Sequence, residues 1–214
     1  MTNKEMKPTT LTGTPELVHS GFDQPPANPL HLFQQWLETA DQLKINEPRG
    51  LVLSTINSSG APSSRVVFLR VVDDKGMIFA SSETSQKGRD LSINPRASGT
   101  LWWRETLQQI NFCGFAHKMP TSVSDEFFRQ RTREAQAVAA VSSQSAPMAN
   151  EDVLRSAMVK LADQSTEIRR PETWHAYHIA IETIEFWHGS RDRFHHRLRY
   201  DLKDGIWHHQ KLQP

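Results

Sequence analysis

The residue types best suited to chemistry crowd together between Ile184 and Tyr200. Arg191, Arg193, Arg197 and Arg199 stand there with His188, His195 and His196, and Asp192 is the one acid within 191–199. Guanidinium groups present their donors as a planar fork that matches carboxylates and phosphates. Trp187, just upstream, offers a flat apolar wall for a ring. If the chain re-enters a strand after the break at Gly189-Ser190, Arg193, His195, Arg197 and Arg199 share one face, because strand side chains alternate. A ligand combining a ring with an anion suits such a surface. On these residues alone a second reading stays open: a solvated basic edge strand, whose charges keep a sheet edge from pairing with other chains.

A second cationic pair is Arg65, on an expected strand, and Lys87, in the first turn of an expected helix. The free N–H groups of that turn add donors, so an anion could be held without a glycine loop. Ordinary surface charges would read the same way. Other chemistries lack their signatures. There is no G-x-G-x-x-G, no Walker loop and no G-x-S-x-G. His175 and His178 face opposite sides of an expected strand and cannot share an ion; the adjacent pairs His195-His196 and His208-His209 fail alike, so no metal site is expected. The single cysteine, Cys113, rules out an intrachain disulfide and reads as a small buried hydrophobe.

The elements that must position these residues follow from pattern. Residues 1–27, with four prolines and little periodicity, read as a flexible N-terminal arm ahead of one domain over 28–214. Asn28-Pro29 starts a helix whose Leu30, Phe33, Trp36, Leu37, Ala40 and Leu43 recur at helical spacing. Strands are predicted over 51–57, 65–72, 77–82, 97–103, 109–118, 175–187, 197–202 and 206–212, many joined by tight turns such as Asp73–Gly76. Helices are predicted from Ser85 to Asn94, after Pro120, and after Asn150, the last with Val153, Leu154, Ala157, Met158 and Leu161 inward. Val138–Val141 reads only as a small apolar run. The pattern is an antiparallel, barrel-like α+β fold with peripheral helices. A net charge of +1, from 25 basic and 24 acidic residues, gives no bulk field for nucleic acid or membrane. The start lacks a signal peptide's apolar core, and no apolar run is long enough to span a bilayer; a cytoplasmic protein is expected.

Five stretches then fall in a familiar order: Arg65-Val66-Val67-Phe68-Leu69-Arg70; Phe79-Ala80-Ser81-Ser82 with Ser85-Gln86-Lys87; Gln108-Gln109; Ser142-Ser143-Gln144-Ser145; and Ile184-Glu185-Phe186-Trp187 with Arg193-Phe194-His195-His196-Arg197. Together, from about Pro26 to Pro214, they resemble the pyridoxamine/pyridoxine 5′-phosphate oxidase family. The resemblance implies a split β-barrel that forms homodimers and binds FMN at the dimer interface. It places Arg65, Ser81 and Lys87 at the FMN phosphate or its approach, and Val66, Val67, Phe68, Leu69 and Arg70 beside the flavin. Gln86, Gln109, Gln144, Ser145, Trp187 and Arg197 complete the implied flavin site. Ala80 and Gln86 stand where the family usually has a tyrosine and an arginine.

The implied substrate positions depart further. Where the phosphate oxidases use a lysine, a tyrosine, an arginine and a serine, this chain has Arg70, Phe127, Arg131 and Ala135. Two hydroxyl donors are lost, at about 1.5–3 kcal/mol each for bonds to a charged group, so a phosphate ester fits poorly. Arg193 and His195 are retained, as the implied catalytic and substrate-binding residues. Within the family, Leu11-Thr12-Gly13-Thr14, the stretch Ser98–Thr106 and the ending Lys211-Leu212-Gln213-Pro214 are similar to the phenazine-biosynthesis oxidase branch. The implied activity is FMN-dependent oxidation of a partly reduced phenazine-1,6-dicarboxylate, by hydride transfer to flavin with reoxidation by O2. The rivals are a pyridoxine/pyridoxamine 5′-phosphate oxidase and, from another class, a non-catalytic flavin- or haem-binding split barrel. Peroxide formed in step with turnover separates an enzyme from a binder.

Overall fold

The computed structural model describes residues 11–14 and 21–214. In chain order the elements are α1 (Pro29–Gln42), β1 (Gly50–Ile56), β2 (Pro62–Phe68), β3 (Val71–Val72), β4 (Gly76–Ser82), α2 (Gln86–Ile93), β5 (Arg96–Trp103) and β6 (Gln108–Lys118). Then come α3 (Thr121–Arg129), α4 (Arg133–Val141), α5 (Glu151–Ala162), β7 (Trp174–His188), β8 (His196–Lys203) and β9 (Ile206–Lys211). The strands pair in the order β2-β1-β5-β6-β7-β4-β3, with β8 on β7 and β9 on β8. The pairs β1–β2, β3–β4, β4–β7, β7–β8 and β8–β9 are antiparallel. The expected antiparallel α+β architecture with helices outside the sheet is the one observed.

The chain forms two compact units. One comprises the described residues up to Pro48, with Thr100–Phe112 and Glu182–Pro214. Its core is aromatic. α1 starts where the Asn28 side chain accepts the Leu30 N–H at 3.0 Å, with a proline in the first turn. Its apolar stripe is buried from Leu30 to Ala40, while Leu43, expected on the stripe, is the exposed cap that ends the helix; Trp36 meets Phe186 edge-on at 5.2 Å. Phe33 packs on Phe112 and Phe186 on Tyr200. Each such ring contributes roughly 1.5–3 kcal/mol by leaving water.

The other unit comprises Arg49–Gly99 and Cys113–Ile181. Leu51, Leu53, Met77, Phe79, Ala176 and Ile179 are buried in it, and Phe128, Ala137, Ile168 and Trp174 form a separate cluster under the helices. β6 and β7 approach so closely at Gly114 that a Cβ there would lie 2.1 Å from the Ala180 carbonyl oxygen.

Several expectations need correction. The single strand predicted over 65–72 is two. Leu69 N–H donates to Arg49 O, and the next donor, Arg70 N–H, turns to Ile78 O in β4, so the chain changes partners there. β2 begins at Pro62, which an outermost strand tolerates. Val138–Val141 closes a whole helix, α4. Thr132 starts it by accepting the Ala135 N–H, and alanine-rich sequence sustains it. In α5, Val153 and Ala157 are exposed; only Leu154, Met158, Leu161 and Ala162 are even half-buried, because the helix packs on the cluster by a narrow stripe. Cys113 is exposed, on the outer side of β6. Residues 1–10 and 15–20 of the expected arm lie outside the described residues. In its described pieces, Thr14 N–H donates to Glu105 O, and Phe22 lies against Trp36 and His196.

Candidate active site

In the second unit a cavity of about 580 Å³ opens between β2, β4, α3 and α4. Val66, Val67 and Phe68 run along one side; Phe127, Ala135, Val138, Ala139 and Trp174 make an apolar wall. Val66 and Phe68 are more than half exposed although apolar, as a surface awaiting a ring would be. Three cations line the cavity, Arg70, Lys87 and Arg131, and its lining contains no carboxylate.

Lys87 is buried in the first turn of α2. Its Nζ donates to Ser81 Oγ at 3.1 Å and to Ser85 Oγ at 3.4 Å. Ser85 caps the helix by accepting the Gly88 N–H, and Ser145 Oγ accepts the Gln86 N–H at 3.2 Å. Gln144 Oε1 accepts from Ser81 Oγ. Neutral partners leave the ammonium's charge uncompensated: burial, and then the charge of Arg65, hold it below the usual lysine range. Arg65 does not line the cavity. Its guanidinium donates to Thr55 Oγ1 at 2.6 Å and Ser63 Oγ at 2.9 Å, with Asp90 at 3.8 Å. It backs Lys87 with fixed positive charge.

Arg131 shows the same tension. One nitrogen donates to Ala135 O at 2.8 Å, and the guanidinium lies 5.2 Å from the Trp174 ring centre. Its Nε is buried without a hydrogen-bond partner. Burial, then the nearby charge of Arg70, lower its affinity for a proton. Arg70 and Arg131 line the same cavity, near enough for one charge to act on the other, and a shared anion would offset that repulsion.

The first unit has a cavity of about 670 Å³ lined by Trp187, Arg193 and His195, with Leu11, Thr12, Gly13, Ser190 and Arg191. His195 packs against Trp187, ring centres 4.7 Å apart, and its Nδ1 accepts the Ser190 N–H at 3.1 Å. A neutral imidazole held this way carries its proton on Nε2. The expected shared strand face of Arg193, His195, Arg197 and Arg199 is not formed. Arg193, at φ 67°, and His195 belong to the turn before β8, and Asp192 shapes that turn by accepting from Ser190 Oγ and the Phe194 N–H. Nor is β8 an edge: β7 and β9 flank it, which removes the edge-strand reading. Arg197 forks onto Glu185 at 2.7 and 3.1 Å.

The sequence-derived residues therefore fall into two groups. Val66, Val67, Phe68, Arg70, Ser81, Lys87, Phe127, Arg131, Ala135 and Gln144 line the second unit's cavity, with Leu69, Gln86, Ser145 and Arg65 adjoining or backing them. Trp187, Arg193 and His195 line the first unit's cavity; Arg197 and His195 border a neighbouring one, and Gln109 is half-buried on β6 in the same unit. Sequence reasoning missed Trp174 behind Arg131, and Trp102, whose ring lies 5.9 Å from that of Trp187. Trp174 gives no sequence signal of this role. Trp102 sat within a stretch already marked by resemblance.

Comparison with known proteins is consistent with this geometry. Residues 37–165 match the family described as pyridoxamine 5′-phosphate oxidase, and residues 174–214 match the pyridoxine 5′-phosphate oxidase C-terminal dimerisation region. A dihydrophenazinedicarboxylate synthase of Pseudomonas chlororaphis is 40% identical over 205 residues, 96% of this chain and 92% of that protein. A pyridoxine/pyridoxamine 5′-phosphate oxidase of Mannheimia succiniciproducens is 37% identical over 87% of this chain and 89% of its own length. The crystal structure of PhzG from Burkholderia lata with tetrahydrophenazine-1-carboxylic acid superposes with a TM-score of 0.90 at 37% identity, covering 92% of this chain and 98% of that one.

Proposed function

The chain belongs to the pyridoxamine 5′-phosphate oxidase family, with its split β-barrel fold, and from that premise we propose an FMN-dependent oxidase of phenazine biosynthesis. Its substrate is a partly reduced phenazine-1,6-dicarboxylate precursor. The observation that carries the choice is the carboxylate-free cavity in which Arg70 and Arg131 face an apolar wall containing Phe127 and Ala135. Guanidinium forks bind carboxylates in bidentate fashion, and the missing hydroxyls leave room for a wide ring system.

The donor set suits FMN. A buried ammonium with only hydroxyl partners, backed by Arg65 and placed at the start of α2, matches a phosphate. Ser81, Gln144 and Ser145 supply further polar contacts, and Val66–Phe68 a flat apolar side. FMN, when bound, supplies the hydride acceptor and passes the electrons to O2. The chain's own residues do the rest. Arg70, Arg131 and Arg193 fix the substrate carboxylates and so orient its ring. Trp187 limits the ring's position by packing. His195, whose Nδ1 accepts the Ser190 N–H, keeps its Nε2–H as a hydrogen-bond donor for the substrate. The match of residues 174–214 to a dimerisation region supports a homodimer.

A second reading, pyridoxine/pyridoxamine 5′-phosphate oxidase, draws on the relatives of that name and on the retained Arg131, Arg193 and His195. Purified protein tests the cofactor directly. It should be yellow and release FMN on denaturation, and it should form peroxide in step with oxidation of a reduced phenazine dicarboxylate. A colourless protein that takes up no FMN contradicts the proposal.

A further inference from the structure

Thr55 is a polar residue in an otherwise apolar row. The inward positions of β1 are Leu51, Leu53 and Thr55, and Thr55 is fully buried. A hydroxyl has one proton to give, and this one goes to Asp90: Thr55 Oγ1 donates to Asp90 Oδ2 at 2.7 Å. The same oxygen accepts from an Arg65 guanidinium nitrogen at 2.6 Å, while Arg65 also donates to Ser63 Oγ at 2.9 Å. Strand register explains the reach, because on β2 Arg65 stands opposite Leu53 and Ser63 opposite Thr55. Asp90 comes from α2, three residues after Lys87, so the two share a helix face, and both are buried. One hydroxyl therefore joins a buried carboxylate on the helix that carries Lys87 to the guanidinium that backs Lys87.

That guanidinium needs an anchor. The charge of Arg65 weakens the hold of Lys87 on its proton, which is the mark of two cations repelling each other. Burial works against the charge of Arg65 as well, and Asp90 offsets it. Without a fixed partner, a long side chain in this position would turn away from Lys87 toward water. We propose that Thr55 and Asp90 are positioning residues for the FMN phosphate: through the Thr55 hydroxyl, Asp90 holds Arg65 where its charge adds to that of Lys87. The inference rests on the FMN reading above.

The test measures FMN and riboflavin dissociation constants by titrating the flavin-free, full-length protein, with FMN release from the loaded protein as a second measurement. Riboflavin lacks the phosphate, so it reports general damage to the flavin cavity. Thr55→Val keeps the shape and both charges and deletes the hydroxyl between them. It should raise the FMN Kd about 10-fold or more, the scale of a bond to a charged group, and leave the riboflavin Kd within about 2-fold. Thr55→Ser keeps the hydroxyl and should retain most FMN affinity. In an Arg65→Met background Thr55→Val should cost no further FMN affinity, because its effect passes through Arg65. Asp90→Asn supplies a test of sign that holds even where Thr55→Val fails to fold. Removing a negative charge would by itself tighten binding of a phosphate, whereas losing the anchor should raise the FMN Kd by about 3-fold or more. Equal losses for FMN and riboflavin, a Thr55→Val loss that persists in full without Arg65, or tighter FMN binding in Asp90→Asn each overturn the anchor. A parent that binds no FMN overturns the cofactor reading and the anchor with it, whereas a parent whose FMN affinity neither variant moves overturns the anchor alone.

Discussion

At the residue scale, the proposed choice between two chemistries rests on Phe127 and Ala135. Both line the cavity beside Arg131, whose Nε is buried and unpartnered. Phe127→Tyr with Ala135→Ser restores two hydroxyls to that wall. Each bond to a charged oxygen contributes about 1.5–3 kcal/mol, so kcat/KM for pyridoxine phosphate should climb by at least ~10-fold. No gain would mean the hydroxyls do not reach the substrate. Lys87 gives a prediction from charge. Burial first, and Arg65 second, hold its pKa below the ordinary 10.5, so the folded protein binds this proton more weakly than the unfolded chain. Its penalty is full below the depressed value and fades as pH rises from there to 10.5. The Tm of the flavin-free parent, relative to Lys87→Met, should therefore rise with pH across that window. FMN should flatten the slope, since its phosphate stabilises the ammonium. A Tm difference that ignores pH in the flavin-free protein contradicts this account of Lys87.

At the scale of elements, α4 positions much of the site: Ala135, Val138 and Ala139 line the cavity from it. Its first residue, Arg133, also ends α5. Arg133 Nε donates to Ala162 O at 2.6 Å, and its NH2 to Thr166 O at 2.8 Å and to Gln164 O, satisfying carbonyls that a helix end leaves free. Arg133→Met should lower stability by about 1.5–3 kcal/mol, read as a drop in urea midpoint at constant slope, and weaken flavin retention with it. Unchanged stability would make α5 an independent appendage. α4 also marks where the sequence was hard to read. Its Thr132 cap and alanine-rich run were available signals, but four small apolar residues suggested no face. The other strands and helices were legible because alternation, caps and turn residues agreed. The break at Leu69-Arg70 was not, since β-branched residues on both sides look continuous and only the change of hydrogen-bond partner divides them. Arg65 and Lys87 were legible as a cationic pair beside a helix start, whereas Arg70 and Arg131 were singled out for the substrate only by the resemblance. The turn at Arg193–His195 was not legible, because a period-two array of bases looks the same in a strand or a loop.

At the scale of the whole molecule, the two groups of candidate site residues belong to different compact units. The proposed homodimer should scatter light as twice the 24.4 kDa chain, and its dissociation should release flavin. A monomer that retains FMN at full occupancy contradicts shared sites. The central claim, however, concerns which molecule fills the cavity between Arg70 and Arg131. It is tested most directly by measuring kcat/KM on the unmodified protein for a reduced phenazine dicarboxylate and for pyridoxine 5′-phosphate under the same conditions. The arginine pair, the apolar Phe127 and Ala135 and the absent hydroxyls predict a ratio of at least ~100 in favour of the phenazine, the scale of two lost bonds to a charged phosphate. A higher kcat/KM for pyridoxine 5′-phosphate would contradict the account and return the chain to the vitamin-phosphate oxidases.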